Sequence, residues 1–333
     1  MRKHCTQSRY IARKRVCGNL SMLRARGGTH SSLPGKVVMT ATVIPMPKKK
    51  SFTIKLAEGL SFDLNSKDVI GDGLRVWTGG ESGSGKTTAI ALFVGQWMEQ
   101  GGQVVVLDPH NEFGSLGVLD LNAKLIGYGN VGRGLSLADD DATIRRYVQL
   151  VDAGKSLLIN LKTWVDTNPA ALDGFVLRLM RALYELRKTK PRRMLVVVDE
   201  AHSFMPEVPA AGQTVNVRMF IGMLTGGRKY GLNFLLGVQR QAIVDKTVLA
   251  SCNVRIFLRV SFFDDWEVIK KYMPYVTATR DGKPYRRRMV EFEEMKKFQS
   301  GEAVVLARWT PDMRVRLDMP SVPPSSSVPA FLL

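Results

Sequence analysis

The stretch GGESGSGKTTA, Gly79 to Ala89, constrains the fold more than any other part of the sequence. Gly80, Gly85, Lys86 and Thr87 fill every fixed position of the pattern G-x-x-x-x-G-K-[S/T], with Glu81, Ser82, Gly83 and Ser84 between them and Thr88 following. Such a loop must leave a strand and open a helix. The apolar run LRVWT (74–78) precedes it, and KTTAIALFVGQWMEQ continues from it with the pattern of an amphipathic helix. Glycines let successive backbone N–H groups converge on one phosphate, and the helix N-terminus adds its positive dipole end. Lys86 is then expected to reach the outer phosphates of ATP, and the Thr87 hydroxyl to bind Mg²⁺. The second Gly-rich stretch, GYGNVGRG (127–134), opens no helix and lacks the Lys-Thr pair, so it reads as a loop.

Around this loop, strand-sized apolar runs recur: QVVVLD (103–108), SLLIN (156–160), MLVVVD (194–199), NFLLGV (233–238) and VRIFLRV (254–260). Most are apolar at consecutive positions, as in strands buried on both faces of a parallel sheet. SFTIKLAEGLSFDL (51–64) alternates instead, like a hairpin turning at Glu58-Gly59. PAALDGFVLRLMRALYELRK places Phe175, Leu179, Leu183 and Leu186 on one helical stripe, with Pro169 in the first turn and Asn168 as the cap. Strand–helix alternation across residues 51–312 predicts one α/β domain with a mostly parallel sheet flanked by helices.

Two further segments carry chemistry. In MLVVVDEAH an apolar strand delivers Asp199 to its C-terminal end, where a carboxylate can hold the Mg²⁺ bridging the phosphates. Glu200 follows directly and is placed to polarise an attacking water. An adjacent Asp-Glu pair favours hydrolysis over transfer to a small acceptor, which disfavours a kinase or a non-motor switch. In TGGRKYGLNFLLGVQRQ, Gln239 lies just past a strand, where it can sense the γ-phosphate. Arg228 and Lys229 lie before that strand, at the opposite end of the sheet, so they are poor ligands in cis and good ones for a neighbouring subunit's ATP.

LDPHNEF (107–113), VVVDEAH, GRKYGLNFLLGVQR and VLASCNVRIFLRVSFFDDWEVIKKY (248–272) occur in the order and spacing of the HerA/FtsK superfamily, and FQSGEAVVLA (298–307) resembles its closing strand. Over residues 51–310 the chain looks most like HerA-type DNA-translocating ATPases. The resemblance implies a RecA-like (ASCE) P-loop NTPase core in a homo-oligomeric ring, usually a hexamer, with ATP at subunit interfaces and double-stranded DNA in the channel. By the family's pattern, Asp199 and Glu200 form the Walker B pair, Arg228 is the trans finger and Gln239 the sensor. Asp108, Glu112 and Arg259 match positions near the nucleotide. HerA proteins usually carry an N-terminal β-barrel and further C-terminal helices; here about 25 residues of ordered-looking sequence precede the phosphate loop, the last 20 or so read as a Pro/Ser-rich tail, and Gln241 stands where Pro is common. These departures favour a compact motor of a virus, plasmid or other mobile element over a HerA-type nuclease partnership. The alternative is an ATPase that energises a secretion, conjugation or pilus machine.

The net charge of +18 is unevenly spread. Residues 1–50 hold 12 Lys/Arg and no Asp or Glu, leaving the rest mildly basic. This segment is expected to be disordered. It reads as a basic nucleic-acid arm, a transit peptide, or sequence upstream of a true start near Met39 or Met46. Residues 313–333 are expected to form a Pro/Ser-rich tail. His4, Cys5, Cys17 and His30 fit no common zinc spacing, so Cys5, Cys17 and Cys252 read as reduced thiols of a cytoplasmic protein. No apolar run reaches the roughly 18 residues that span a bilayer. The basic clusters RKTKPRR (187–193) and RRR (286–288) are either channel-lining or solvated.

Overall fold

A computed structural model of the protein describes residues 52–115, 125–128, 137–210 and 213–319. The expectations for residues 1–50, for the His4, Cys5, Cys17 and His30 set and for the chain beyond 319 lie outside these. The elements begin with β1 (Thr53–Ala57), β2 (Leu60–Asp63), α1 (Lys67–Asp72), β3 (Arg75–Gly79), α2 (Lys86–Glu99), β4 (Gln103–Asp108), α3 (Glu112–Ser115) and β5 (Leu125–Tyr128). They continue with α4 (Asp141–Asp152), β6 (Ser156–Asn160), α5 (Lys162–Thr167), α6 (Pro169–Thr189), β7 (Met194–Val198), α7 (Gln213–Gly226) and β8 (Leu232–Val238). The last are α8 (Lys246–Ser251), β9 (Val254–Phe257), α9 (Phe263–Ile269), β10 (Tyr275–Arg280), β11 (Lys283–Arg288), α10 (Phe292–Met295), β12 (Glu302–Ala307) and β13 (Met313–Arg316).

The main sheet runs β13-β12-β9-β3-β8-β7-β4-β6-β5. From β9 to β5 every pairing is parallel, and β12 joins β9 antiparallel. The continuous apolar runs follow from covering on both faces. In β7, Met194, Val196 and Val198 pack into one core with Phe175, Leu179 and Leu183 of α6, while Leu195 and Val197 enter the other with Ile90, Phe93 and Trp97 of α2. As expected, the Asn168 side chain caps α6, accepting from the Ala171 N–H at 3.2 Å. Parallel order brings the C-terminal ends of β3, β4, β7 and β8 side by side, where the chain must cross into helices and ligands bind in such sheets.

The hairpin predicted over 51–64 is β1–β2, with Gly59 in the left-handed region at φ 72°. Among the described residues, β1 pairs with no strand but β2. Gln96 of α2 and Gln100 just after it supply the missing partners, accepting from the Lys55 and Thr53 N–H groups at 2.7 and 2.6 Å and donating to their carbonyls at 2.7 Å. These two side chains close an edge that would otherwise pair with another chain.

Three expectations are corrected. Gly127 and Tyr128, read as loop, end strand β5 opposite Leu158 and Ile159; the rest of GYGNVGRG lies outside the described residues. The run 254–260 is a strand only to Phe257, because the chain then turns to meet the phosphate loop. Residues 313–316, placed in the tail, form β13, antiparallel to β12, and Leu317 is buried in the core. Strand β13 alternates Met and Val with two arginines, the pattern of a half-exposed edge strand. Among the described residues no helix is long and apolar enough to cross a membrane. Cys252 is buried, which pushes its thiol up to about 12 and leaves it protonated.

Candidate functional site

The phosphate loop leaves β3 and is tied down from three sides. The Gly80 N–H donates to the Val238 carbonyl at 3.0 Å and the Glu81 N–H to the Arg259 carbonyl at 3.0 Å. The Glu81 carboxylate accepts from Arg259 Nε at 2.5 Å and from the Ser261 N–H at 2.9 Å. The Gly301 N–H donates to the Ser84 carbonyl at 3.0 Å. Gly85 is demanded by its φ of 97°, and a Cβ there would also press to 3.1 Å on the Gly301 backbone N. It turns the chain into α2, whose first turn carries Lys86 and Thr87.

Lys86 is buried and its ammonium pairs with Glu200 Oε1, with Asp199 Oδ1 3.4 Å away. Burial alone would lower the Lys86 pKa, but the two carboxylates overcome it and hold the group charged. The Thr87 hydroxyl donates to Glu112 Oε2 at 2.6 Å. Asp108, at the end of β4, accepts from the Glu112 and Phe113 N–H groups at 3.0 Å each and so starts α3. Burial pushes the Asp108 carboxyl up to about 6 against those two hydrogen bonds, with Asp199 and Glu112 adding to the rise. Asp199 is likewise raised, first by burial, although Lys86 opposes it. Acidic side chains crowd this edge of the sheet, and Lys86 is buried among them.

Glu200 sits in the left-handed region at φ 44°, unusual for a non-glycine residue and costing of order 1–3 kcal/mol. This backbone turn brings its Oε2 to 3.1 Å from the Gln239 N–H and 3.3 Å from His202 Nδ1. Burial works to raise its carboxyl, but His202 and Lys86 prevail and bring it down to about 2. Glu200 is therefore ionised throughout the working range of an enzyme.

The donor set fits a nucleotide with Mg²⁺. Asp199 is fully buried, yet its Oδ2 has no hydrogen-bond partner, so one carboxylate oxygen is uncommitted beside the Thr87 hydroxyl's turn of helix. Among the described residues, no three His, Cys, Asp or Glu side chains cluster closely enough to hold an ion alone. Thr87 and Asp199 would hold Mg²⁺ together with phosphate oxygens, the usual sharing for this small, strongly hydrated ion.

The structure brings Gly80–Thr88, Asp108, Glu112, Asp199, Glu200, Gln239 and Arg259 to this one edge. Arg259 reaches it through the loop itself, as the partner of Glu81. Arg228 lies elsewhere, as anticipated. It sits on the 3₁₀ turn Gly227–Tyr230 before β8, and β8 carries the chain about 20 Å to the nucleotide end. Its guanidinium is half exposed, donates to the Gly71 carbonyl at 2.7 Å and lies 3.8 Å from Asp72. It cannot serve this chain's own phosphate loop.

Gly237 and His202 were not anticipated from the sequence. Gly237 faces Asp199, and a Cβ there would overlap Asp199 Oδ1 and press on Ile90 Cδ1. The run LLGV hinted at this, since an isolated Gly in a central strand marks a close approach. Gly237→Ala is expected to push Asp199 out of place and lower Mg²⁺-dependent ATP turnover by about 10² or more. Overpacking should cost only about 1–3 kcal/mol, so a melting curve separates lost chemistry from lost folding. His202 places its Nδ1 3.3 Å from the Glu200 carboxylate. Gln241 is buried beneath Gly79, accepting from Trp77 Nε1 at 3.1 Å, which gives the Gln in place of Pro a packing role.

Residues 79–164 match the family model described as the central domain of helicase HerA. No curated protein matches the chain in sequence. The solved structure of the bacterial conjugative coupling protein TrwBdeltaN70, in its unbound monoclinic form, is similar at a TM-score of 0.59 and 15% identity, over 84% of this chain and 93% of that one. The plasmid coupling protein TrwB in complex with ADP and Mg²⁺ is similar at 0.55 and 16% identity, over 77% and 87%. The genome packaging NTPase B204 of Sulfolobus turreted icosahedral virus 2, in complex with AMPPCP, follows at 0.47 and 14%, over 70% and 91%. The fold is that of a RecA-like P-loop NTPase.

Proposed function

We propose that this HerA/FtsK-type P-loop ATPase works as a homo-oligomeric ring, a hexamer by family pattern, that translocates or packages double-stranded DNA. One observation carries the reading. The groups that bind and hydrolyse ATP stand at one edge of the sheet, while the exposed Arg228 stands at the other, so the site needs a second copy to be complete. A head-to-tail arrangement of that kind closes into a ring when the rotation per subunit permits.

The residues give a sequence of events. Lys86 pairs with Glu200. When ATP enters the loop, its β- and γ-phosphates take Lys86, and Glu200 loses one of the three groups, Lys86, His202 and the Gln239 N–H, that hold its carboxyl low. Its basicity rises at that moment, and it accepts a hydrogen bond from the water that attacks the γ-phosphorus. Water's oxygen bonds to phosphorus as the bond to the β–γ bridging oxygen breaks, giving ADP and phosphate. Thr87 and Asp199 would hold Mg²⁺, which would supply charge neutralisation at the phosphates. Gln239 follows Glu200 through its backbone N–H, which supports its reading as the sensor that reports the γ-phosphate to β8. Arg228 of the next subunit meets the charge that develops on the transferred group.

ATP turnover on long linear duplex DNA tests the substrate. The expected result is severalfold stimulation that fades with salt, as phosphate contacts require. Vigorous turnover indifferent to every nucleic acid would support the second reading instead. That reading, an ATPase of a conjugation, secretion or pilus machine, is favoured by the fold shared with a conjugative coupling protein.

A further inference from the structure

The geometry points to the β10–β11 hairpin as the element that grips the duplex, through the phosphate backbone. This rests on the DNA-moving reading and deepens it. The two strands pair over six residues each, from Tyr275 opposite Arg288 to Arg280 opposite Lys283. Asp281-Gly282 close them with φ 51° and 74°, the two-residue turn whose twist matches the strands. The ribbon is therefore a defined shape about 20 Å long. Five cations stand on it against one carboxylate, Asp281.

No apolar face explains it, because most of its residues are exposed and it adds nothing to either core. Its base is fixed. The Met289 N–H donates to the Pro274 carbonyl at 2.8 Å, Arg287 pairs with Glu294, and the Arg288 N–H donates to Glu291 Oε1 at 3.1 Å. Its tip is different. Arg280 is 83% exposed, with a carboxylate contact only at 4.0 Å to the equally exposed Asp281, and Lys283 and Arg286 are exposed too. Arg286 lies 4.5 Å over the Tyr275 ring. The rival cluster at 187–193 is largely committed. Arg187 is buried, Lys188 and Lys190 pair with Glu185 and Asp152, and Arg193 donates to the Leu64 carbonyl at 3.0 Å.

Both ends of the segment bearing the hairpin are bonded to the phosphate loop. Ser261 donates to Glu81 before α9, and Gly301 donates to Ser84 after α10. A ribbon of this width fits a duplex groove, and its exposed Arg280, Lys283 and Arg286 are placed from tip to mid-ribbon to meet phosphates. A shift of the loop on nucleotide exchange is passed to the ribbon through these two anchors.

The test uses the full chain and its triple variant Arg280→Ala/Lys283→Ala/Arg286→Ala, with anisotropy of a labelled duplex read across a salt series. Losing three phosphate contacts should flatten the slope of log K against log salt by about 2.7, so between about 50 and 200 mM salt the parent loses about 40-fold more affinity than the variant. Basal ATP turnover without DNA and the melting temperature should be unchanged, and Arg280→Lys/Arg286→Lys should keep the parental slope. If the parent binds duplex and the triple variant shows the same affinity and slope, the hairpin assignment is overturned and the DNA-moving reading stands. A parent that binds no duplex at all overturns both. A variant whose oligomer falls apart while its salt slope is unchanged makes the ribbon a subunit contact and also overturns the assignment.

Discussion

Glu200→Gln is expected to lower ATP turnover by about 10³ while leaving nucleotide bound, the loss typical of a positioned proton acceptor. The glutamine keeps the shape of the side chain and an oxygen for the Gln239 N–H, which donates at 3.1 Å in the parent. It cannot keep the charge. Lys86 loses its partner Glu200 but retains Asp199 at 3.4 Å, so the phosphate loop stays formed and ready for ATP. Single-turnover kinetics and equilibrium nucleotide binding check both halves. A variant that hydrolyses normally would remove Glu200 from the chemistry. One that no longer binds ATP would make it a structural member of the loop.

Arg228→Ala is expected to cost as much for a different reason. An arginine finger is worth about 10³ to 10⁵ in phosphoryl transfer, and its guanidinium acts only in the transition state. Turnover should collapse, ATP affinity should change little, and the isolated fold should be nearly unaffected. The fold can bear the loss because Arg228 is half exposed, and its contacts are a hydrogen bond to the Gly71 carbonyl and a loose 3.8 Å approach to Asp72. A melting temperature near that of the parent, beside lost kcat, would show that Arg228 serves turnover and not the fold.

The parts of the site made by backbone demands were legible in the sequence. Gly80, Gly85, Lys86 and Thr87 stand at spacings that only a phosphate loop requires, and the run MLVVV could only be a strand covered on both sides, delivering Asp199 and Glu200 to its end. Arg228 was readable by position, since a residue before a parallel strand lies at the far edge from one after it. What stayed hidden were contacts between segments distant in sequence. The strand pattern alone does not say which neighbour approaches Gly237, nor that Glu81 and Arg259 clamp the loop. Strands β10, β11 and β13 carry no continuous apolar run because they are edge or free strands, so hydrophobic patterning passed them over. The Asp281-Gly282 dipeptide between RR-rich and Thr-rich segments was the signal that would have found the hairpin. Helix α7 has apolar residues dispersed around its circumference, and its pattern was correspondingly weak.

The most direct measurement mixes the two inactive variants. In a head-to-tail ring, an Arg228→Ala subunit keeps an intact phosphate loop and Glu200, and a Glu200→Gln neighbour keeps the finger. Random mixing in equal amounts makes about a quarter of the interfaces competent. Turnover well above that of either variant alone, rising with the chance of such pairs as the ratio is varied, is the predicted result. Mixed oligomers, verified by sizing, that hydrolyse no faster than the variants apart would contradict a site completed by a neighbouring copy.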